Sequence, residues 1–206
     1  MTGAQRRAQL IDVGRKMFAE KGFDGTSVEE IAAEASVSKP VVYEHFGGKE
    51  GLYAVVVDRE MSTLLAGVTD ALTGTDDGEP MHPRELLERA AFALLDYIES
   101  HSDGFRILVR DSSTGSQAGS FASLISDIAS RVEHLLSAQF KARGFDQKQA
   151  PLYSQMLVGM VALTGEYWLD VRKPRKPEVV SHLVNLAWNG LAHLEPKPRL
   201  VGPRRK

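Results

Sequence analysis

Apolar residues recur three and four positions apart along almost the whole chain, the spacing of helices that bury one face. Leu10, Val13, Gly14, Met17 and Phe18 draw the stripe of a first helix, which stops near Gly22. Thr26 followed by Glu29 reads as a capping box, and Val28, Ile31, Ala32 and Ala35 mark a second, short helix behind it. A third begins around Ser38 to Pro40 and ends at Phe46, where Gly47 and Gly48 break it. Ser38 or Lys39 can cap it, Lys39 being the choice that suits the extended preference of a residue before proline, and Pro40 then falls in the first turn, where a missing N–H loses no hydrogen bond. A long helix then runs from about Lys49 to Leu72.

From Thr73 to Pro83 the chain is rich in turn formers and reads as its first clear loop. Leu87, Ala91, Leu94 and Ile98 share one face of a helix over about 84–100, and a short helix follows around 104–110. Residues 111–120 are polar and rich in glycine and serine, either a flexible loop or a poorly ordered helix start. Phe121, Leu124, Ile125, Ile128, Val132, Leu135 and Leu136 trace a helix that Gly144 ends. Two more, over 147–171 and 177–194, are separated by the proline-rich turn RKPRKP. The last ten residues, 197–206, are basic without periodicity and are expected to be a disordered tail. The pattern is all-α, with about nine helices: three short ones, a long connecting helix and a larger helical bundle.

The stretch Gly22 to Leu52 carries the functional signal. Two helices of about two turns each, joined by Ala35, Ser36 and Val37, bury little surface by themselves. Packed steeply, with the first helix across their backs, they gather a small core from Phe18, Val28, Ile31, Val37, Val42 and Phe46. That is helix-turn-helix geometry, in which the second helix of the pair enters the major groove of DNA. Its outward groups suit the task. Ser38, Lys39 and Pro40 stand at the end where base edges are met, Tyr43 and His45 offer donors, and Lys49 sets a point charge at the next helix start. Backbone N–H groups near Thr26 and Gly48 are further phosphate candidates. Glu44, on the same helix, repels phosphate unless it accepts from a cytosine amino group.

The elements GFDGTSVEEIA, SVSKPVVYEHF and GGKEGLY, in this order and at this distance from the N-terminus, closely resemble the DNA-binding domain of the TetR family of transcriptional regulators. The resemblance covers roughly the first 55 residues; beyond them only length and helix count fit. It implies a helix-turn-helix domain over 1–50, with the helix from about 49 linking it to a ligand-binding and dimerisation domain over 51–196. It places Lys39, Pro40 and Tyr43 at bases or adjacent phosphates, and His45 and Lys49 on the phosphate backbone. It further implies a homodimer on a palindromic operator of double-stranded DNA, the last two helices of each chain forming a four-helix bundle. The regulator would be a repressor released by a small effector held in the C-terminal bundle.

Met-rich, apolar walls suit a lipophilic effector, and Phe92, Phe105, Leu108, Phe121, Met156, Met160 and Tyr167 are pocket candidates, with plain core as the other reading. Leu157, Val161, Val184, Trp188 and Leu191 are candidates for the dimer surface. Ser36 departs from the family, which usually has glycine there; a left-handed backbone at that position costs about 1–2 kcal/mol. An activator, or a regulator with no ligand, fits the same head. A helical interaction or enzyme domain whose first helices only imitate a helix-turn-helix fits less well.

Composition narrows this picture. With 43% of 206 residues hydrophobic, the chain is expected to fold. A net charge of -2 and a pI near 6.3 argue against a non-specific nucleic-acid binder, not against a site-specific one. There is no cysteine, which excludes disulfides and thiolate metal sites and fits a reducing, cytoplasmic setting. The N-terminus has two arginines but no following apolar run, so it does not read as a signal peptide. The apolar stretch Leu152 to Val171 contains Gln155, Thr164, Glu166 and Asp170, and reads as a buried helix and not a membrane span. Asp96 and Glu166 are either polar anchors of the pocket or part of a solvated face. Six histidines, at 45, 82, 101, 134, 182 and 193, make no close pair at ligand spacing, so neither a metal nor another cofactor is expected. No nucleophile-elbow, dinucleotide or P-loop pattern occurs, Tyr43 standing where a P-loop would need glycine, and no enzyme is expected.

Overall fold

A computed structural model of the chain describes residues 1–73, 75–76, 79–111 and 121–199. Its helices are α1 (Gly3–Lys21), α2 (Val28–Glu34), α3 (Lys39–Phe46), α4 (Lys49–Thr73), α5 (Pro83–Ser100), α6 (Ser102–Asp111), α7 (Phe121–Arg143), α8 (Ala150–Val171) and α9 (Lys176–Ala192). The all-α expectation holds, with two small additions. The loop before α5 contains a two-residue antiparallel ladder, β1 (Thr75–Asp76) with β2 (Glu79–Pro80). A 3-10 turn, Gln147–Gln149, precedes α8, its Lys148 N–H donating to Asp146 Oδ1 at 3.0 Å. The expected loop or helix start at 112–120 and the tail beyond 199 lie outside the described residues, as does the side chain of Phe121.

The chain forms two compact units, one of Met1–Val68 with Leu94–Ser126, the other of Thr69–Ala93 with Asp127–Lys206. In the first, α1 buries Leu10, Gly14, Met17 and Phe18 and packs against α2 and α6. At Gly14 α1 lies close against α4: a Cβ there would stand 2.9 Å from Leu52 Cδ2. Phe18, Phe23 and Tyr53 form an aromatic cluster, with Tyr53 4.9 Å and 5.0 Å from the other two ring centres. The Arg110 guanidinium of α6 donates to the Phe18 carbonyl at 3.3 Å. In the second unit α8 and α9 pack together, burying Val158, Ala162, Trp168 and Leu169 with Val180, Leu183 and Val184. Arg143, at the end of α7, donates to the carbonyls of Leu191 and Ala192 at 3.1 Å and 3.0 Å and so satisfies the open end of α9.

The cap of α2 differs from the sequence expectation by one residue. Ser27, not Thr26, caps α2: its hydroxyl accepts from the Glu30 N–H, and the Glu30 carboxylate accepts from the Ser27 N–H. The Lys21 ammonium, and after it the Ser27 N–H, hold the Glu30 carboxyl down to about 2. Of the two cap candidates of α3 it is Ser38, with extended backbone, that occupies the position, and Lys39 is already the first helical residue. Between the two helices Ser36 has φ +54°. Its N–H bonds the Ala33 carbonyl at 3.0 Å and the Val37 N–H bonds that of Ala32 at 2.9 Å, the double closure of a Schellman turn. Ser36 thus takes the left-handed position that glycine fills without strain. Ser36→Gly is expected to stabilise the protein by about 0.5–1 kcal/mol, the relief of strain less glycine's extra freedom when unfolded. Urea unfolding measures this; a loss of stability would show that the serine side chain holds the turn.

Candidate nucleic-acid interface

The pair α2–α3 is held from behind. Val28, Ile31 and Val42 are buried with Phe18, while Val37 and Phe46 are half-buried, so the six expected core positions all turn inward. Gln9 of α1 donates to the Ala35 carbonyl at 3.1 Å, closing the end of α2. The Arg7 guanidinium lies 4.5 Å from the centre of the Phe46 ring. Gly47, at φ +73°, ends α3, its N–H donating to the Tyr43 carbonyl at 2.8 Å.

On the opposite face Ser38, Lys39, Pro40, Tyr43 and Glu44 are exposed. Tyr43 keeps 52% of its surface open, an uncommon exposure for so large a ring. The Ser38 hydroxyl makes no cap hydrogen bond within α3. Lys39 forms an ion pair with Glu29 of α2; each holds the other charged, raising the lysine and lowering the carboxyl. His45 is half-buried, its ring 6.1 Å from that of Phe46. Lys49 opens α4 half-buried: its ammonium donates to the Phe23 carbonyl at 3.0 Å and lies 4.2 Å from the Phe23 ring centre. Thr26 is turned inward at 2% exposure, its hydroxyl donating to the carbonyls of Gly22 at 2.8 Å and Met17 at 3.3 Å. Its place in the site is to fix the joint between α1 and α2.

The effector and dimer candidates are dispersed. Phe105 and Leu108 are fully buried in the first unit, whereas Phe92, Met156, Met160 and Tyr167 belong to the second. Of these Phe92 and Met160 are half-buried, and Met156 and Tyr167 are exposed at 55% and 64%. Asp96 and Glu166 are both exposed. Among the dimer candidates Val184 is buried within the chain, and Leu157, Val161, Trp188 and Leu191 are half-buried, Trp188 with its ring 5.1 Å from His82. The open apolar face of α8 is instead Leu152, Met156, Leu163, Tyr167 and Val171, with Leu186 exposed on α9. The α8 positions lie four and seven apart, one side of a helix, a spacing that apolar residues on its other sides conceal in the sequence.

Among the described residues no cluster of three potential metal ligands occurs, and no helix is long and apolar enough to cross a membrane. The family model for bacterial regulatory proteins of the tetR family matches residues 10–56, and that for a tetracyclin repressor-like C-terminal domain matches 83–190. The chain is 32% identical over 193 residues to the HTH-type transcriptional activator FasR of Mycolicibacterium smegmatis, covering 92% of this chain and 84% of that one. A TetR-like transcriptional regulator from Rhodococcus sp. RHA1 superposes with a TM-score of 0.78 at 28% identity, over 94% of this chain and all of that one. The TetR family regulator PfmR of Thermus thermophilus, at 23% identity and a TM-score of 0.71, shares the fold over 88% of this chain and 98% of its own.

The inward hydroxyl of Thr26 generates a prediction. Thr26→Val keeps the shape but removes the hydroxyl's bonds to the Gly22 and Met17 carbonyls, and is expected to cost about 1–2 kcal/mol of stability. Affinity for DNA per folded molecule should be unchanged in fluorescence anisotropy; a selective loss of affinity would place the hydroxyl on the phosphate backbone.

Proposed function

Because the chain belongs to the TetR family of bacterial regulatory proteins and is a DNA-binding transcriptional regulator, we propose that it binds a palindromic operator as a homodimer and is switched by a small lipophilic effector. The observation that carries the DNA geometry is the two-sided character of α3. Val42 is sealed at 0% exposure, while Ser38, Lys39, Pro40, Tyr43 and Glu44 on the other side of the helix are exposed. Lys39 and Pro40 lead the helix into the major groove, Tyr43 and His45 meet phosphates beside it, and Lys49 sits at the amino end of α4, where the helix dipole adds to its charge. The head occupies 1–50, and the effector and the dimer contacts belong to 51–196.

The dimer reading is supported by the open apolar face of α8, which a second copy would cover. The effector reading is supported by the match of the C-terminal family model and by the half-buried, adaptable side chains of Phe92 and Met160. Release needs only that the effector prefer a conformation in which the heads no longer fit the operator. Occupying an operator that overlaps a promoter represses, and repression is the reading adopted. Similarity to a protein named as an activator favours a second reading, in which the operator lies upstream and the bound regulator promotes transcription. Transcription from the chain's own promoter region, reconstituted with and without the protein, distinguishes the two by sign.

Two results are expected. Lys49→Ala should weaken binding to every duplex about equally and lower the salt slope of binding by about one unit. An unchanged slope with reduced stability would confine the ammonium to its bond with Phe23. Leu163→Glu combined with Tyr167→Glu should give monomers by size-exclusion chromatography and abolish binding to a palindrome whose half-sites lie about 34–36 Å apart or a multiple of that. A dimer of unaltered size would move the interface off α8.

A further inference from the structure

Glu60 lies in the middle of α4 and is only 4% exposed. Three other helices of the same unit close on its carboxylate. From α1, Arg15 brings Nε to 4.0 Å from Oε1. From α5, the Tyr97 hydroxyl donates to Oε2 at 2.7 Å and approaches the Glu60 carbonyl at 3.4 Å. From α6, Gly104 supplies the room, since a Cβ there would occupy the space of Oε2. Burial, followed by the charge of Glu60, pushes the Tyr97 hydroxyl far up, so it remains a donor. The Arg15 Nε is buried without a hydrogen-bond partner, and its guanidinium faces Glu60 beneath and Asp12, at 3.9 Å, at the rim. Asp12 in turn faces Arg59 of α4 at 3.7 Å.

Matching a buried charge restricts geometry more than it stabilises, because apolar surfaces can slide over one another and an ion pair cannot. Here the matched charge joins the helix that backs α2 and α3 to three helices outside the DNA-binding head. Glu60 and Tyr97 are buried at 4% and 6% exposure, so neither is open to a contact with DNA. We propose that Glu60 is a positioning residue for operator recognition, fixing the attitude of α1 against α4, α5 and α6 and thereby the register in which α3 meets base edges. The inference rests on the DNA-binding reading and adds to it a residue that never touches DNA.

Base readout and phosphate attraction respond differently to such a residue. Non-specific binding depends on the number of cations near the backbone and tolerates a shifted head, whereas base contacts need the helix in register. The test uses the full-length protein, a duplex selected by it from a random pool, and the same duplex with its sequence shuffled. Glu60→Gln keeps an acceptor for Tyr97 and removes the charge matched to Arg15; Tyr97→Phe removes one hydrogen bond and keeps the ring. Both are assayed by fluorescence anisotropy at a temperature where circular dichroism shows them folded. Glu60→Gln is expected to weaken binding to the selected duplex about tenfold and to the shuffled one less than about twofold, with Tyr97→Phe a smaller change in the same direction. Equal losses on the two duplexes, or no loss in either variant, would overturn the proposal. Failure of the wild-type protein to select any duplex would overturn the DNA reading itself, a distinct result.

Discussion

Two helices of seven and eight residues are too short to keep their conformation unaided, and the function of this chain depends on their being held by other elements. Both ends of α2 and the C-terminal end of α3 are closed by named groups. Ser27 and Glu30 close the start of α2, with Lys21 drawing Glu30 toward α1 at 2.7 Å. The turn at Ser36 and the Gln9 amide close its end. Gly47 closes α3. Thr26, placed deeper, ties the joint between α1 and α2 to two carbonyls at once. With the backbone secured from behind, Pro40, Tyr43 and Glu44 have no packing duty and are left to the solvent side.

The cations of this face are less free than a count of charges suggests. Lys39 is paired with Glu29, and Lys49 is bonded to the Phe23 carbonyl and lies against its ring. In the proposed complex phosphate would have to displace those partners, so each cation would gain less from DNA than an unengaged one. Together with a net charge of -2 this keeps general attraction to nucleic acid weak. Weak general attraction shifts the weight of binding onto contacts that depend on sequence, which is what a site-specific regulator requires.

Helical periodicity made the element order and the head legible from the residues alone, because every turn of α1, α2 and α4 has to present apolar groups to the same core. Register within the caps was not legible. Thr26–Glu29 and Ser27–Glu30 both satisfy the capping pattern, and burial decides between them: the methyl-bearing threonine goes inward and the serine stays at the rim. Glu60 was hidden for a different reason. An acid on a long helix ordinarily lies on a solvated face, yet Val56, Glu60 and Leu64 are four apart on a buried stripe, and that spacing was the signal that this acid is interior. Phe105 and Leu108 look like pocket walls in sequence because pocket and core use the same side chains, and only the fold shows them sealed at 0% exposure.

The patterning of α8 runs against that of a helix completed by its own chain. Its buried side includes Ser154, Val158, Ala162 and Gly165, while Leu152, Met156, Leu163, Tyr167 and Val171 point outward. Large side chains, Trp168 and Leu169, are buried only toward its C-terminal end; the large apolar residues outside leave water against surface that water disfavours. A sequence free to vary would exchange the two sets unless the outer one had a partner. A single head of two short helices, moreover, offers too small a footprint to distinguish one site from the many competing ones. The proposed dimer would answer both requirements at once: a second copy covering the apolar side of α8 would bring a second α3, and the operator would be as symmetric as the protein that reads it.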